Sequence, residues 1–260
     1  MLYAFFLDID GTLIDYTFVP DKNRKAIEEA RQAGHLVLLN TGRGYRFIPD
    51  RVWNNFTFDG IVCGSGAYAS LHGEILQSRR LSSETAMAVA AYLMGKKQPF
   101  IFEGENQVLV YGTECRHHYW LPLTAPEELA EKYADARVQK INLPGQVPEE
   151  IAEELRKQFF LLQHPAYAEV SIIGCDKGRA MQVVMDHLPD GFCSVAMGDS
   201  LNDLEMLEAA DISVAMGNSI PQVKALCTHE TADVRDAGVA VAIRAILAGR
   251  HLTEKVLRSF

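Results

Sequence analysis

The chain has 260 residues, 48% of them hydrophobic and 23% charged, with a formal net charge of −9. That is enough apolar sequence for one large core or two smaller ones. The acidic balance argues against nucleic acid as the main partner, because phosphate backbones select basic surfaces, and no run approaches the ~20 apolar residues that a membrane span requires.

Leu2–Leu7 (LYAFFL) has no polar alternation and reads as a strand buried on both faces. It stops at Asp8 and Asp10, one residue apart, followed by Gly11 and Thr12. Two carboxylates at a strand end repel each other and lose hydration unless a cation or a proton transfer occupies them. The alternative is that both only cap a turn at Asp10-Gly11. No basic segment precedes this strand, so no secretory leader is expected. The five cysteines are scattered, odd in number and without a C-x-x-C pair, which reads as free thiols in a reducing compartment. A cytoplasmic protein is the expectation.

Pro20-Asp21 open a helical pattern with Ala26, Ile27 and Ala30 on one face, and Gly34 closes it. His35–Leu39 is a second buried strand, ending at Asn40-Thr41-Gly42-Arg43. Arg46–Asn55 reads as a helix, Gly60–Cys63 as a third strand, and Ala67–Gln77 as a hairpin turning at His72-Gly73. This rhythm requires right-handed crossovers and a parallel sheet.

From Ser82 the character changes. A helix over Ser82–Lys97 is followed by short strands at Pro99–Glu103, Gln107–Tyr111 and Val138–Leu143, with helices at Pro126–Tyr133 and Pro148–Lys157 between or after them. Glu169–Ile173 is a further strand candidate. Prolines punctuate the region, which reads as an inserted α+β domain with an antiparallel sheet. The parallel rhythm returns with a helix over Lys177–His187, a strand over Phe192–Met197 ending in Gly198-Asp199-Ser200, a helix over Asn202–Ala210, a strand over Ile212–Ala215, and helices over Ser219–Leu226 and Ala237–Ala248. The expected organisation is a discontinuous α/β core, 1–81 and 175–260, interrupted by an α+β cap, 82–174.

Four segments place polar or charged residues just after a buried strand or at a helix start: Asp8-x-Asp10-Gly11-Thr12, Thr41-Gly42-Arg43, Lys177-Gly178, and Gly198-Asp199-Ser200-Leu201-Asn202-Asp203. A parallel sheet brings such segments to its carboxyl edge. Carboxylates, a hydroxyl and an ammonium gathered there suit phosphoryl transfer, where positioning and charge neutralisation do most of the catalysis. Taken singly, Asp199 and Asp203 read equally well as N-cap and first-turn acids.

The four segments, in this order and spelling, resemble the motifs of the haloacid dehalogenase (HAD) superfamily of phosphatases, specifically the Cof-type branch with a type IIB cap between the second and third motifs. The resemblance implies a Rossmann-like parallel-sheet core and a Mg²⁺-dependent phosphatase acting on a small phosphorylated metabolite, such as a sugar phosphate or pyridoxal phosphate, through an aspartyl-phosphate. It implies Asp8 as nucleophile and Asp10 as general acid and base. Asp8, the backbone carbonyl of Asp10, and Asp199 would hold Mg²⁺, an all-oxygen set suited to a hard cation. Asp203 would support from behind, and Thr41, Gly42, Lys177 and Asn202 would bind the phosphoryl oxygens. A phosphotransferase or phosphomutase would share these residues; a non-catalytic binding domain would have no need of both Asp8 and Asp10. A monomer or homodimer is expected, with no nucleic-acid or membrane partner.

The chain departs from that pattern at Ser65-Gly66-Ala67, where Cof-type proteins carry Asn-Gly-Ala, and at Thr231–Gly238, where they carry Ser-Asn-Asp-Glu-Asp-Gly. Both departures bear on specificity and leave the reaction type untouched. In the cap, Cys115–Trp120 is the candidate contact segment. His117 and His118, adjacent and without a third ligand, read as a non-ligating pair, and Tyr119-Trp120 reads as core. Arg43 and Arg46 are candidate substrate contacts, with a surface or structural role the favoured reading.

Overall fold

The computed structural model describes residues 1–15 and 18–249. The described residues divide into two compact units, one drawn from 1–42, 49–77 and 176–249, the other from 43–48 and 78–175. The second unit thus gathers Arg43–Ile48, a segment that boundaries of 82–174 leave in the core.

The first unit opens with β1 (Leu2–Leu7), α1 (Asp21–Gln32), β2 (Leu36–Asn40), α2 (Asp50–Trp53) and β3 (Gly60–Cys63). The hairpin follows as β4 (Tyr68–Leu71) and β5 (Glu74–Ser78). His72 and Gly73 both have positive φ, 49° and 84°, the conformation of a two-residue turn whose twist matches its strands. The helix expected over Arg46–Asn55 is broken into a 3-10 turn at Tyr45–Phe47 and the single turn of α2. Pro49 is the cause: it holds Ile48 extended, at φ −67° and ψ 125°.

The second unit runs through α3 (Ser83–Gly95), β6 (Phe100–Gly104), β7 (Val108–Tyr111), β8 (Trp120–Pro122), α4 (Glu128–Glu131), β9 (Val138–Pro144), α5 (Glu149–Arg156), β10 (Phe159–Gln163) and β11 (Tyr167–Ile172). Ser82 caps α3 by accepting the Thr85 N–H. The strands form a six-stranded sheet in the order β10-β11-β9-β6-β7-β8, antiparallel except for β7 with β8. Alternation along these strands sends Phe100, Phe102, Leu109, Ile141, Leu143 and Val170 to one face, where Ala90 and Leu93 of α3 and Leu155 of α5 cover them. Ile101, Val108, Val110 and Trp120 cluster separately, with Phe47 and Tyr119 packed on them. Phe47 stacks on Trp120 at 5.2 Å, the Gly44 N–H donates to Glu103 Oε2 at 2.7 Å, and the Tyr45 N–H donates to Gln139 Oε1 at 3.2 Å. These contacts are why Arg43–Ile48 belongs to this unit. The Arg46 guanidinium lies 4.4 Å over the Tyr119 ring.

The chain re-enters the first unit with α6 (Lys177–Met185), β12 (Phe192–Gly198), α7 (Leu204–Ala209), β13 (Ile212–Ala215), α8 (Pro221–Leu226), β14 (His229–Glu230) and α9 (Gly238–Leu247). A 3-10 turn at Leu201–Asp203 precedes α7. The sheet order is β14-β13-β12-β1-β2-β3-β4-β5, parallel from β14 to β3, with β4 antiparallel to β3. β1 sits among these strands with Phe5 and Phe6 fully buried on opposite faces. Phe6, Leu38, Val62 and Ala196 pack under Met181 of α6 and Met206 of α7. Each of the larger side chains among them contributes roughly 1.5–3 kcal/mol by its burial. The register holds Leu7 beside Met197 and Leu39, so the residues after β1, β2 and β12 leave the sheet at one edge.

Candidate active site

Asp8 continues the β1 ladder, its N–H donating to Met197 O at 3.1 Å, and is only 5% exposed. The turn behind it reverses tightly: the Gly11 N–H donates to Ile14 O at 3.0 Å, and the Leu13 N–H to Ile9 O at 3.0 Å. Gly11 has φ +85°, and a Cβ there would lie 2.5 Å from Asp199 Oδ2. Only glycine fits both conditions. Buried Thr12 donates its hydroxyl to Asp199 Oδ1 at 3.0 Å, which ties the first motif to the fourth.

Lys177 opens α6 and is 1% exposed. Its Nζ lies 2.6 Å from Asp8 Oδ1 and 2.5 Å from Asp203 Oδ1. Asp176 caps the helix by accepting the Arg179 N–H at 2.7 Å. Gly178 lets the helix approach α7 closely, since a Cβ would meet Glu205 O at 2.4 Å. Asn40, at the end of β2, donates from Nδ2 to the Lys177 carbonyl at 3.2 Å, while its own Oδ1 is buried without a hydrogen bond. The sequence reading passed over Asn40. An uncharged polar residue at the end of a buried strand, just before Thr41, was the signal that could have marked it.

Asp203 is fully buried. Its Oδ2 accepts from the N–H groups of Asp199 at 2.9 Å and Ser200 at 3.0 Å, and its Oδ1 takes the ammonium. Both oxygens are therefore committed to protein donors. Asn202 Oδ1 accepts from the Ser200 hydroxyl at 2.8 Å. Thr41 is buried, its N–H donating to Val62 O, and Gly42 O accepts from the Ser65 hydroxyl at 3.4 Å. Asp10 is half-buried and bridges to Ile14.

Asp8, Asp199 and Asp203 each offer an oxygen, all within 4.8 Å of one another. Burial raises the Asp8 carboxyl well above its usual range, with Lys177 pulling it down and Asp203, Asp199 and Asp10 pushing it up. Burial, then Asp203, pushes Asp199 up to about 7, against the Thr12 hydroxyl. Burial would lower the Lys177 ammonium, but Asp203 and Asp8 outweigh it and hold it raised. Asp8, Asp199 and Asp203 crowd around the Lys177 ammonium, with Asp10 near enough to push Asp8 and Asp199 up, an excess of negative charge that a divalent cation relieves. Asp199 Oδ2 carries no hydrogen bond among the described residues, and a hard cation fits a set of oxygen ligands of this kind.

A family model described as haloacid dehalogenase-like hydrolase matches residues 5–243. The chain belongs to the haloacid dehalogenase-like hydrolases. This HAD hydrolase is 28% identical over 257 residues to the 5-amino-6-(5-phospho-D-ribitylamino)uracil phosphatase YcsE of Bacillus subtilis (strain 168), covering 92% of this chain and 93% of that one. It is 28% identical over 249 residues to the HMP-PP phosphatase of Klebsiella pneumoniae (strain 342), covering 85% and 86%. The solved structure of the HAD subclass IIB sugar phosphatase BT4131 superposes with a TM-score of 0.77 at 26% identity, covering 94% of this HAD hydrolase and 98% of that chain. The subclass agrees with the Cof-type, type IIB resemblance carried by the four motifs.

Proposed function

We propose that this HAD hydrolase is a Mg²⁺-dependent phosphatase of small phosphorylated metabolites, of the sugar phosphate or pyridoxal phosphate kind, working through an aspartyl-phosphate on Asp8. The observation that carries this reading is the state of the Asp8 carboxylate: it is buried just after β1, and Lys177 holds its Oδ1. A carboxylate anchored in this way is oriented for attack on phosphorus.

In the first step Asp8 forms a bond to phosphorus as the phosphorus–ester oxygen bond breaks, and Asp10 gives its proton to the leaving oxygen. In the second, Asp10 takes a proton from water, whose oxygen attacks phosphorus and releases inorganic phosphate and the Asp8 carboxylate. Thr41, Gly42, Lys177 and Asn202 hold the phosphoryl oxygens. Asp8, the Asp10 carbonyl and Asp199 would hold the cation, which when bound supplies positive charge to those oxygens. Asp203 serves from behind by fixing the Lys177 ammonium and the Asp199 backbone. Phosphatase names among the relatives support the reaction class. The scattered spacing of the five cysteines, without a C-x-x-C pair, supports a cytoplasmic setting.

Phosphate release from a panel of phosphorylated metabolites tests the reading, run with Mg²⁺, with EDTA, and with Asp8→Asn. Wild-type enzyme is expected to release phosphate only with Mg²⁺, and the variant to release none. Turnover that survives chelation, or a variant as active as the wild type, overturns it.

A further inference from the structure

Beside the four motifs runs the loop Met216–Ile220, between β13 and α8, to which the motif reading gives no role. Three of its groups grip the fourth motif: the Met216 N–H donates to Gly198 O at 3.2 Å, the Ser219 hydroxyl to Gly198 O at 3.1 Å, and the Ile220 N–H to Asp199 O at 3.1 Å. Its remaining polar side chain, Asn218, grips the first motif. Asn218 Nδ2 donates to Gly11 O at 2.8 Å, while Oδ1 accepts the Val234 N–H at 2.9 Å. One loop therefore ties the Asp10-Gly11 turn to the Asp199 turn by hydrogen bonds at both ends.

Gly11 is the residue most in need of such a tie. Glycine at φ +85° has the widest conformational freedom of any residue. Its N–H is fixed on Ile14 O and its C=O on Asn218. The Asp10–Gly11 peptide is planar and trans, so fixing the Gly11 N–H also fixes the opposite direction of the Asp10 carbonyl. Without the Asn218 donor, the peptide following Gly11 is held only by the long bond from the Thr12 N–H to Ile9 O, at 3.4 Å, and the turn gains freedom to rotate as a crank about its two ends.

We propose that Asn218 is a positioning residue for the cation site, holding the Asp10–Gly11 turn in the orientation that presents the Asp10 carbonyl together with Asp8 and Asp199. This rests on the metal-dependent reading above. Groups that orient a metal's ligands typically cost 10–100-fold in metal affinity when removed, and Asn218 acts at that remove.

The test is isothermal titration of the full chain with Mg²⁺, comparing wild type with Asn218→Ala, Asn218→Leu and Val234→Pro. The first two remove the Gly11 bond with side chains of different size at an exposed position. The third removes the N–H that Asn218 Oδ1 accepts, and the buried Val234 side chain with it, but leaves Asn218 and its Gly11 bond in place. Val234 is the first residue of a 3-10 turn, after the extended Asp233, a place that tolerates proline. Both Asn218 variants are expected to melt within a few degrees of wild type without metal and to bind Mg²⁺ about tenfold more weakly, with Val234→Pro within about twofold. Unchanged Mg²⁺ affinity in the Asn218 variants overturns the proposal. So does an equal loss in Val234→Pro, failure of both Asn218 variants to fold, or a wild type that binds no Mg²⁺. Phosphate release is read separately: a wild type that binds Mg²⁺ but hydrolyses nothing sinks the phosphatase reading and leaves the role of Asn218 standing.

Discussion

The Lys177 ammonium lies 2.6 Å from an oxygen of Asp8, a residue 169 positions earlier in the chain, and both are buried. It also touches Asp203, so one cation serves the first and fourth motifs at once. Removing one partner of a buried pair leaves uncompensated charge and costs about 3–5 kcal/mol. Lys177→Met is expected to lower stability by about that amount at neutral pH and to abolish phosphate release. Urea unfolding checks the first outcome; a midpoint equal to wild type would show that the ammonium holds nothing together.

The carboxylates make the metal-free protein sensitive to pH. Asp199 is pushed up to about 7 from an ordinary 3.8, by burial first and then by Asp203. A carboxyl whose folded value is raised favours folding while protonated, so its stabilisation is complete below pH 3.8 and is lost as pH rises through about 7. The EDTA-treated protein should melt progressively lower between pH 5 and pH 8, as a contribution from this group. Mg²⁺ should raise the melting temperature more at pH 8 than at pH 5. Calorimetric scans across that range check it, and an equal Mg²⁺ effect at both ends would contradict it.

Gly11→Ala probes the tightest approach in the site. The new methyl would lie 2.5 Å from Asp199 Oδ2 on a backbone with φ +85°. The left-handed conformation alone costs about 1–2 kcal/mol, and Asp199 must also move. Loss of thermal stability together with weaker Mg²⁺ binding is expected; a fall in stability with unchanged Mg²⁺ affinity would mean Asp199 does not bind the cation.

Thiol chemistry separates exposure from acidity. Cys115 is exposed, whereas burial pushes the Cys227 thiol up to about 11, against a hydrogen bond from Ser213. Only the thiolate reacts. Iodoacetamide at pH 8 should label Cys115 first, with Cys227 labelled at a comparable rate only near pH 11. Peptide mass spectrometry reads both, and fast labelling of Cys227 at pH 8 would refute its burial.

The core was legible because its signals are local and redundant. Each buried strand is a continuous apolar run, and each motif follows such a strand or opens a helix, so Leu2–Leu7 and Phe192–Met197 announce both the sheet and its chemical edge. The second unit was harder. β10 (FFLLQ) is apolar on both faces with no turn residue before it, and nothing in its pattern distinguishes it from a continuation of α5. The break at Ile48-Pro49 was visible in principle, since proline fixes the residue before it as extended. Asn40 and Asn218 escaped for a different reason. Each acts through a carboxamide on a distant backbone group, Lys177 or Gly11, and such a pairing leaves no trace in local spacing.

The grip on Arg43–Ile48 makes the second unit a domain of two strands of sequence. A fragment of residues 78–175 would leave Glu103 buried without the Gly44 N–H, Gln139 without the Tyr45 N–H, and Trp120 without the Phe47 ring. An unsatisfied buried donor or acceptor costs about 1–3 kcal/mol. The unit therefore cannot be transplanted by cutting at its two obvious ends. Any exchange of this domain between relatives must carry the Arg43–Ile48 peptide with it, or supply a substitute that fills the same groove.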